Sequence, residues 1–224
     1  MSLVLASAAF LNGYRLGLTH EANDLDRLQT ALHELGSHRT PFAFEGAAMA
    51  WRIRDDRDQT VRHVSTFFEA TDTKWHPFLA LGVGCALAKL GHPPPPHPVT
   101  LDGYGFQLGL LAGISGARIP SAGPRIERGR GRALWFITGG EPAACAVTIN
   151  NGSQVEERWR GVATACVFAG DPKDAATELW SLAVGFQGLL RQGAEDALAL
   201  WQSLTESPPP RISAAFAALT KCNS

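Results

Sequence analysis

The sequence predicts an all-α protein, an array of stacked helical hairpins forming a single compact domain. Two observations carry this expectation. Apolar residues recur at three- and four-residue steps between helix-capping signals. One unit, a Gly/Ala-rich helix bearing a bulky aromatic, also returns along the whole chain.

Taken in order, Leu3-Val-Leu-Ala-Ser-Ala-Ala-Phe-Leu11 reads as a first helix, because no Lys or Arg precedes it as a signal peptide would require. Leu25, Leu28, Leu32 and Leu35 mark an amphipathic helix over about 24–35, behind Asn23-Asp24 and ahead of a stop at Gly36. Ser37 to Pro41 reads as a loop. Phe42 to about Asp55 is Ala- and Met-rich and favours helix despite Gly46. Residues 60–70 fit helix or strand, and their helical neighbours decide for helix.

Trp75 to Leu90 has proline in its first turn, Gly91 at its end and apolar residues on almost every face, as an internal helix does. His92-Pro-Pro-Pro-Pro-His97-Pro98 then reads as a stiff extended connector joining two halves, 1–91 and 99–224. Beyond it, 101–111 and 129–140 are apolar with small residues. Pro142 to about Asn150 and Val155 to Ala169 read as helices, the latter stopped by Gly170. Asp171-Pro172 opens a helix to about Gln192, and 194–204 and 213–219 complete the set.

Lys and Arg number 20 against 21 Asp and Glu, a net charge of −1, so no global field draws nucleic acid or an anionic membrane. Four arginines between Arg125 and Arg132 form the local exception. Such a run reads as a solvated loop entering a helix, with a phosphate or carboxylate clamp as the rival role. Cys85, Cys145, Cys166 and Cys222 form no Cys-x-x-Cys pair and suit buried free thiols in a reducing cytoplasm. No apolar run approaches the roughly 18–20 residues of a membrane span.

The repeating unit pairs Gly46 with Trp51, Gly82 with Trp75 and Phe78, Gly105 with Tyr104 and Phe106, Gly131 with Trp135, Gly161 with Trp159, and Gly185 with Phe186. Glycine inside a helix costs about 1 kcal/mol relative to alanine, so its recurrence needs a reason. Either neighbouring helices approach closely there, or the small faces line a cavity walled by Trp51, Tyr104, Phe106, Trp135 and Trp159.

Three residues are candidates for chemistry. Glu45 lies in an apolar helix, where a desolvated carboxyl with a raised pKa can serve as general acid or base; structural ion pairing is the alternative. Asp102 allows the same role or an N-cap. His76 opens the apolar helix and suits proton transfer, ligand contact or a surface position. Arg132 and Arg160 are positioned to pair with Glu45 or Asp102, or to stack on Trp135 and Trp159. Histidine spacing fits no zinc site, and no phosphate loop, nucleophile elbow or dinucleotide fingerprint is present, so neither metal nor cofactor is expected.

Five blocks occur in order: Phe42-Ala-Phe-Glu-Gly-Ala-Ala-Met-Ala, Leu81-Gly-Val-Gly-Cys-Ala-Leu-Ala-Lys-Leu90, Leu101-Asp-Gly-Tyr-Gly-Phe106, Gly129-Arg-Gly-Arg-Ala-Leu-Trp-Phe136 and Trp159-Arg-Gly-Val-Ala-Thr-Ala165. Together they resemble the bacterial domain-of-unknown-function family 1702, whose members occur in actinobacterial gene clusters, including those for enediyne polyketides. The resemblance implies a biosynthetic setting and supplies no catalytic residues. One functional expectation is a cofactor-independent enzyme acting on an apolar polyketide, polyene or terpenoid-like substrate by acid/base chemistry. The other is a non-catalytic helical binding or scaffold protein that holds an intermediate or docks to a synthase.

Overall fold

The computed structural model describes residues 3–59, 62–115, 123–150, 154–169, 173–205 and 207–220. It is all-α, with no strand among the described residues. The helices are α1 (Leu3–Thr19), α2 (Leu25–Glu34), α3 (Thr40–Arg57), α4 (His63–Ala70), α5 (His76–Leu90), α6 (Pro98–Ser115), α7 (Pro124–Ile137), α8 (Pro142–Asn150), α9 (Val155–Ala169), α10 (Lys173–Leu182), α11 (Gln187–Leu204) and α12 (Pro210–Thr220). Short 3-10 turns at Ala22–Asp24 and Thr73–Trp75 lead into α2 and α5. Among the described residues no helix is long and apolar enough to cross a membrane.

Helix ends follow local chemistry. Gly91 closes α5 with φ +74°, a conformation that costs a residue with a Cβ. Its N–H bonds the Ala88 carbonyl and the His92 N–H reaches back to Leu87, capping the last turn. At the start of α4 the cap comes from another helix: the Asp55 carboxylate accepts from the backbone N–H of His63 (2.7 Å) and Val64 (3.1 Å), and from His63 Nδ1 (2.8 Å).

The chain divides into two compact units, a first spanning Val4–Tyr104 and a second that runs from Gly105 and takes in Leu3. The division falls inside α6, so the proline connector at 92–98 lies within the first unit. Close packing explains this. Gly84 on α5 meets the backbone of Thr100 and Tyr104, and Gly103 meets Leu81, which ties the start of α6 to α5.

Each unit is built on helices whose backbones touch at glycines. In the first, a methyl group placed on Gly13 would overlap the Ala43 carbonyl, one on Gly46 the Phe10 carbonyl, and one on Gly82 the Glu45 carbonyl. In the second, Gly105 meets Ile126, Gly131 meets Arg158, Gly161 meets Arg128, and Gly193 meets Arg160 in the same way. Cα–H···O contacts of this kind, at roughly 0.5–1 kcal/mol each, offset the helical cost of glycine.

The two units repeat one arrangement. Gly13 and Gly17 stand to Ala43 and Ala47 as Gly105 and Gly109 stand to Ile126 and Arg130. Likewise Gly82 stands to Glu45 as Gly161 does to Arg128, and Gly103 to Leu81 as Gly193 does to Arg160. Helices α1, α3, α5 and the start of α6 therefore correspond to the rest of α6, α7, α9 and α11. Sequence agrees at these positions: Gly13-Tyr-Arg-Leu-Gly-Leu18 matches Gly105-Phe-Gln-Leu-Gly-Leu110, and Gly82-Val opens α5's glycine block as Gly161-Val opens α9's.

Three local expectations are corrected. Arg125–Arg132 is helical and no solvated loop, because carboxylates from α7, α9 and α11 neutralise its buried guanidiniums. The long helix expected up to Gln192 ends at Leu182, where Ala183 to Phe186 turn through Gly185 (φ +82°). Gly185 is thus a turn residue and no crossing glycine, whereas Gly193, read as a helix boundary, lies inside α11 against Arg160. The Asp171-Pro172 cap and the Gly170 stop lie outside the described residues.

Candidate functional site

Glu45 sits on α3 with its side chain buried, 4% exposed, at the crossing with α5. Its carbonyl lies under Gly82, and its Oε1 is 3.9 Å from the Cys85 thiol. The same thiol donates to the Gly103 carbonyl at 3.3 Å. Cys85 therefore brings together the neighbourhoods of two candidates, Glu45 and the half-buried Asp102, at the meeting of α3, α5 and α6. Tyr104, half-buried on α6, presents its backbone N–H to Gly84.

His76 stands elsewhere in the first unit. Its Nε2 lies 3.0 Å from the Phe68 carbonyl and 3.1 Å from that of Thr71, so this nitrogen carries the proton and ties the end of α4 to the start of α5. Trp51 is fully buried, packed on Phe67 (4.9 Å) and edge-on to His63 (5.7 Å). It belongs to an aromatic core in which Phe44 stacks on Trp75 at 4.9 Å.

In the second unit Arg132 lies over the Phe106 ring at 5.4 Å, and Phe136 meets that ring edge-on at 5.5 Å. Trp135 and Trp159 are fully buried, the latter stacked on Phe186 at 6.3 Å. Trp51, Trp135 and Trp159 thus fill interior positions in their own units, while Tyr104 and Phe106 are half-buried. Cys85, Cys145 and Cys166 are buried thiols, and Cys222 lies outside the described residues. Burial pushes the Cys145 thiol up to about 11, with a smaller contribution from Glu141, against the lowering effect of its Thr138 hydrogen bond.

The second unit also holds a polar network that residue spacing does not reveal. Where α7, α9 and α11 meet, Glu127, 0% exposed, holds Arg130 at 2.6 Å and Arg158 at 2.9 Å. Arg128 pairs with Glu157 at 3.1 Å and Asp196 at 3.3 Å, and Arg160 grips Asp196 with two nitrogens, at 2.8 and 3.0 Å. Arg160 thus has Asp196 as its partner, on an acid that spacing did not single out. In the repeat register Arg128 occupies Glu45's place, and Phe44, Ala47 and Leu79 occupy those of Glu127, Arg130 and Arg158. One arrangement is thus built once with an apolar crossing and once with an ion-paired one.

An open depression on α2 is lined by Asp26, Gln29, Thr30, His33 and Glu34. Burial, and then the Lys74 charge, hold His33 below the usual imidazole range, and its ring packs edge-on to Phe44 (5.4 Å) and Trp75 (5.5 Å). Its histidine sits within the leucine pattern of α2, so nothing in the sequence marks it. Among the described residues no group of three or more His, Cys, Asp or Glu side chains is placed to hold a metal ion.

Comparison with known proteins returns one family. No curated protein and no solved structure matches the chain. The model of DUF1702, described as a protein of unknown function, matches residues 2–113 and 118–223, which takes in nearly every helix of both units. The chain belongs to the DUF1702 family.

Proposed function

We propose that this protein works as a non-catalytic helical binding or scaffold protein of a small-molecule biosynthetic pathway. The observation that carries this reading is the filling of the faces beside the candidate acids. The face of Gly46, next to Glu45, is occupied by the Phe10 carbonyl and Tyr14 amide of α1, and that of Gly105, on Asp102's helix, by the Ile126 carbonyl of α7. A substrate would have to part packed backbones to occupy those glycine faces, since such interiors are as dense as organic crystals. The biosynthetic setting rests on what the family resemblance implies, that members occur in polyketide gene clusters. The three buried thiols suit a reducing cytoplasm.

The rival reading is a cofactor-independent cyclase, isomerase or lyase that uses Glu45 as acid or base on an apolar polyketide, polyene or terpenoid-like substrate. Its support is the burial of Glu45 beside Cys85. Glu45→Gln separates the two, since the amide keeps the shape and loses the acid/base function. In the producing host this variant is expected to restore the pathway's product to within about twofold of the wild-type level, whereas a proton-transfer step typically contributes roughly 10²–10⁴-fold. A folded, normally abundant Glu45→Gln protein that yields no product would overturn the proposal.

A further inference from the structure

Arg132 differs from the arginines packed around it. Arg128, Arg130, Arg158 and Arg160 each meet a carboxylate within 3.3 Å. Arg132, half-buried one turn beyond Arg128, meets no carboxylate among the described residues, and its guanidinium carbon lies over the Phe106 ring at 5.4 Å. Phe136, half-buried a further turn along α7, closes on the same ring edge-on at 5.5 Å. All three side chains belong to the second unit.

The Phe106 ring draws the charge by cation–π attraction but offers no oxygen acceptor, so the N–H donors of Arg132 are left to water or to a ligand. Taking a guanidinium partly out of water without a carboxylate is unfavourable, so this one needs a use that packing does not supply.

The first unit shows that the fold does not require the charge. Gly82 lies against the Met49 amide as Gly161 lies against that of Arg132, so Met49, Tyr14 and Ile53 hold the places of Arg132, Phe106 and Phe136. Met49 and Ile53 are each 5% exposed. The same position is thus closed by apolar side chains in one unit, and half-open with a cation beside two phenyl rings in the other. Apolar walls with a polar group fixed among them are the make-up of a small-molecule site.

We infer that Arg132, Phe106 and Phe136 bind an apolar carboxylic acid with a flat, unsaturated body. The carboxylate takes the planar fork of Arg132, which the Phe106 ring holds in place, and the body lies along the two rings, where offset and edge-to-face contacts are favourable. A carboxylate fits better than a phosphate, because one guanidinium matches one negative charge and the rings would strip water from a second without pairing it. The inference rests on the reading of this chain as a binding protein and names the class of molecule it holds. Binding there parts no packed backbones, since the three side chains are already half-exposed.

The probes are trans-cinnamate, its neutral counterpart trans-cinnamamide and inorganic phosphate, each added to the full chain. In proton–nitrogen NMR spectra cinnamate is expected to shift the Arg132 Nε–H signal with a Kd of about 0.1–1 mM, as suits a fragment-sized ligand. Cinnamamide is expected to bind at least about tenfold more weakly, and phosphate to leave the signal in place. Arg132→Met, which installs the residue of the first unit, is expected to keep the wild-type melt and, in ligand-observed NMR, to lose the preference for acid over amide. An Arg132 signal unmoved by about 5 mM cinnamate, equal binding of acid and amide, an equal shift by phosphate, or a preference that survives Arg132→Met would each overturn the inference. A shift produced only by an acidic peptide would overturn it too. Absent cinnamate binding beside a normal product level from Glu45→Gln in the host rejects the ligand class alone, whereas loss of product rejects the reading beneath it.

Discussion

Replacing Glu127 by alanine is expected to cost about 3 kcal/mol, because it removes the carboxylate shared by the buried Arg130 and the half-buried Arg158. Glu127 is fully buried and sits 2.6 Å from Arg130 and 2.9 Å from Arg158, a tight Arg–Glu–Arg triad. Removing one partner of such a group is severe, whereas replacing the whole group with apolar residues of similar volume is often neutral or stabilising. The first unit performs that replacement naturally, since Phe44, Ala47 and Leu79 stand at the same places in its own crossing. The triple variant Glu127→Leu, Arg130→Met, Arg158→Leu is therefore expected to unfold cooperatively within about 1 kcal/mol of wild type. Urea unfolding followed by circular dichroism reads both. A triple variant as unstable as Glu127→Ala would show that the triad supplies something an apolar crossing does not.

The second large effect lies at the glycines. Gly161→Ala is expected to destabilise by about 3 kcal/mol and to lower the melting temperature by roughly 6–12 °C, since its methyl would overlap the Arg128 carbonyl, and a helix backbone cannot yield as a side-chain tip can. Gly188→Ala on α11 provides the contrast. Nothing lies within 4 Å of the space its methyl would take, so the variant is expected to gain about 0.5–1 kcal/mol from helix propensity. Equal melts for the two variants would mean that the crossings are looser than described.

Much of this architecture is legible in the sequence where local chemistry decides. Pro142 and Val155 begin α8 and α9 as periodicity places them, and α8 ends at Asn150 and α9 at Ala169. Gly91 stops α5 because a left-handed residue there needs no partner from elsewhere. Glycines whose role depends on a neighbour are a different matter: Gly185 and Gly193 look alike in sequence, yet one turns the chain and the other receives the Arg160 carbonyl. The arginines of α7 read as solvated because Glu157 and Asp196, which neutralise Arg128, lie far along the chain.

The candidate site was legible to a similar depth. Burial of Glu45 follows from its apolar surroundings, but its place under Gly82 and beside Cys85 follows only from how α3 and α5 cross. His76 at the start of α5 is visible from Pro77, while its bonds to two carbonyls at the end of α4 depend on the turn between them. The repeat itself was in view as recurring glycines. Its register emerges only when each glycine is matched to the backbone it touches.

Backbones of neighbouring helices fill the small-residue faces at Gly46, Gly82 and Gly105. Crystals pressurised with xenon, which enters dry apolar voids, test this packing most directly. No xenon is expected between Gly46, Gly82 and Gly105 and the backbones of Phe10, Glu45 and Ile126 that they face. An ordered xenon atom beside Glu45, walled by Trp51 or Tyr104, would contradict the account and return the enzyme reading to first place.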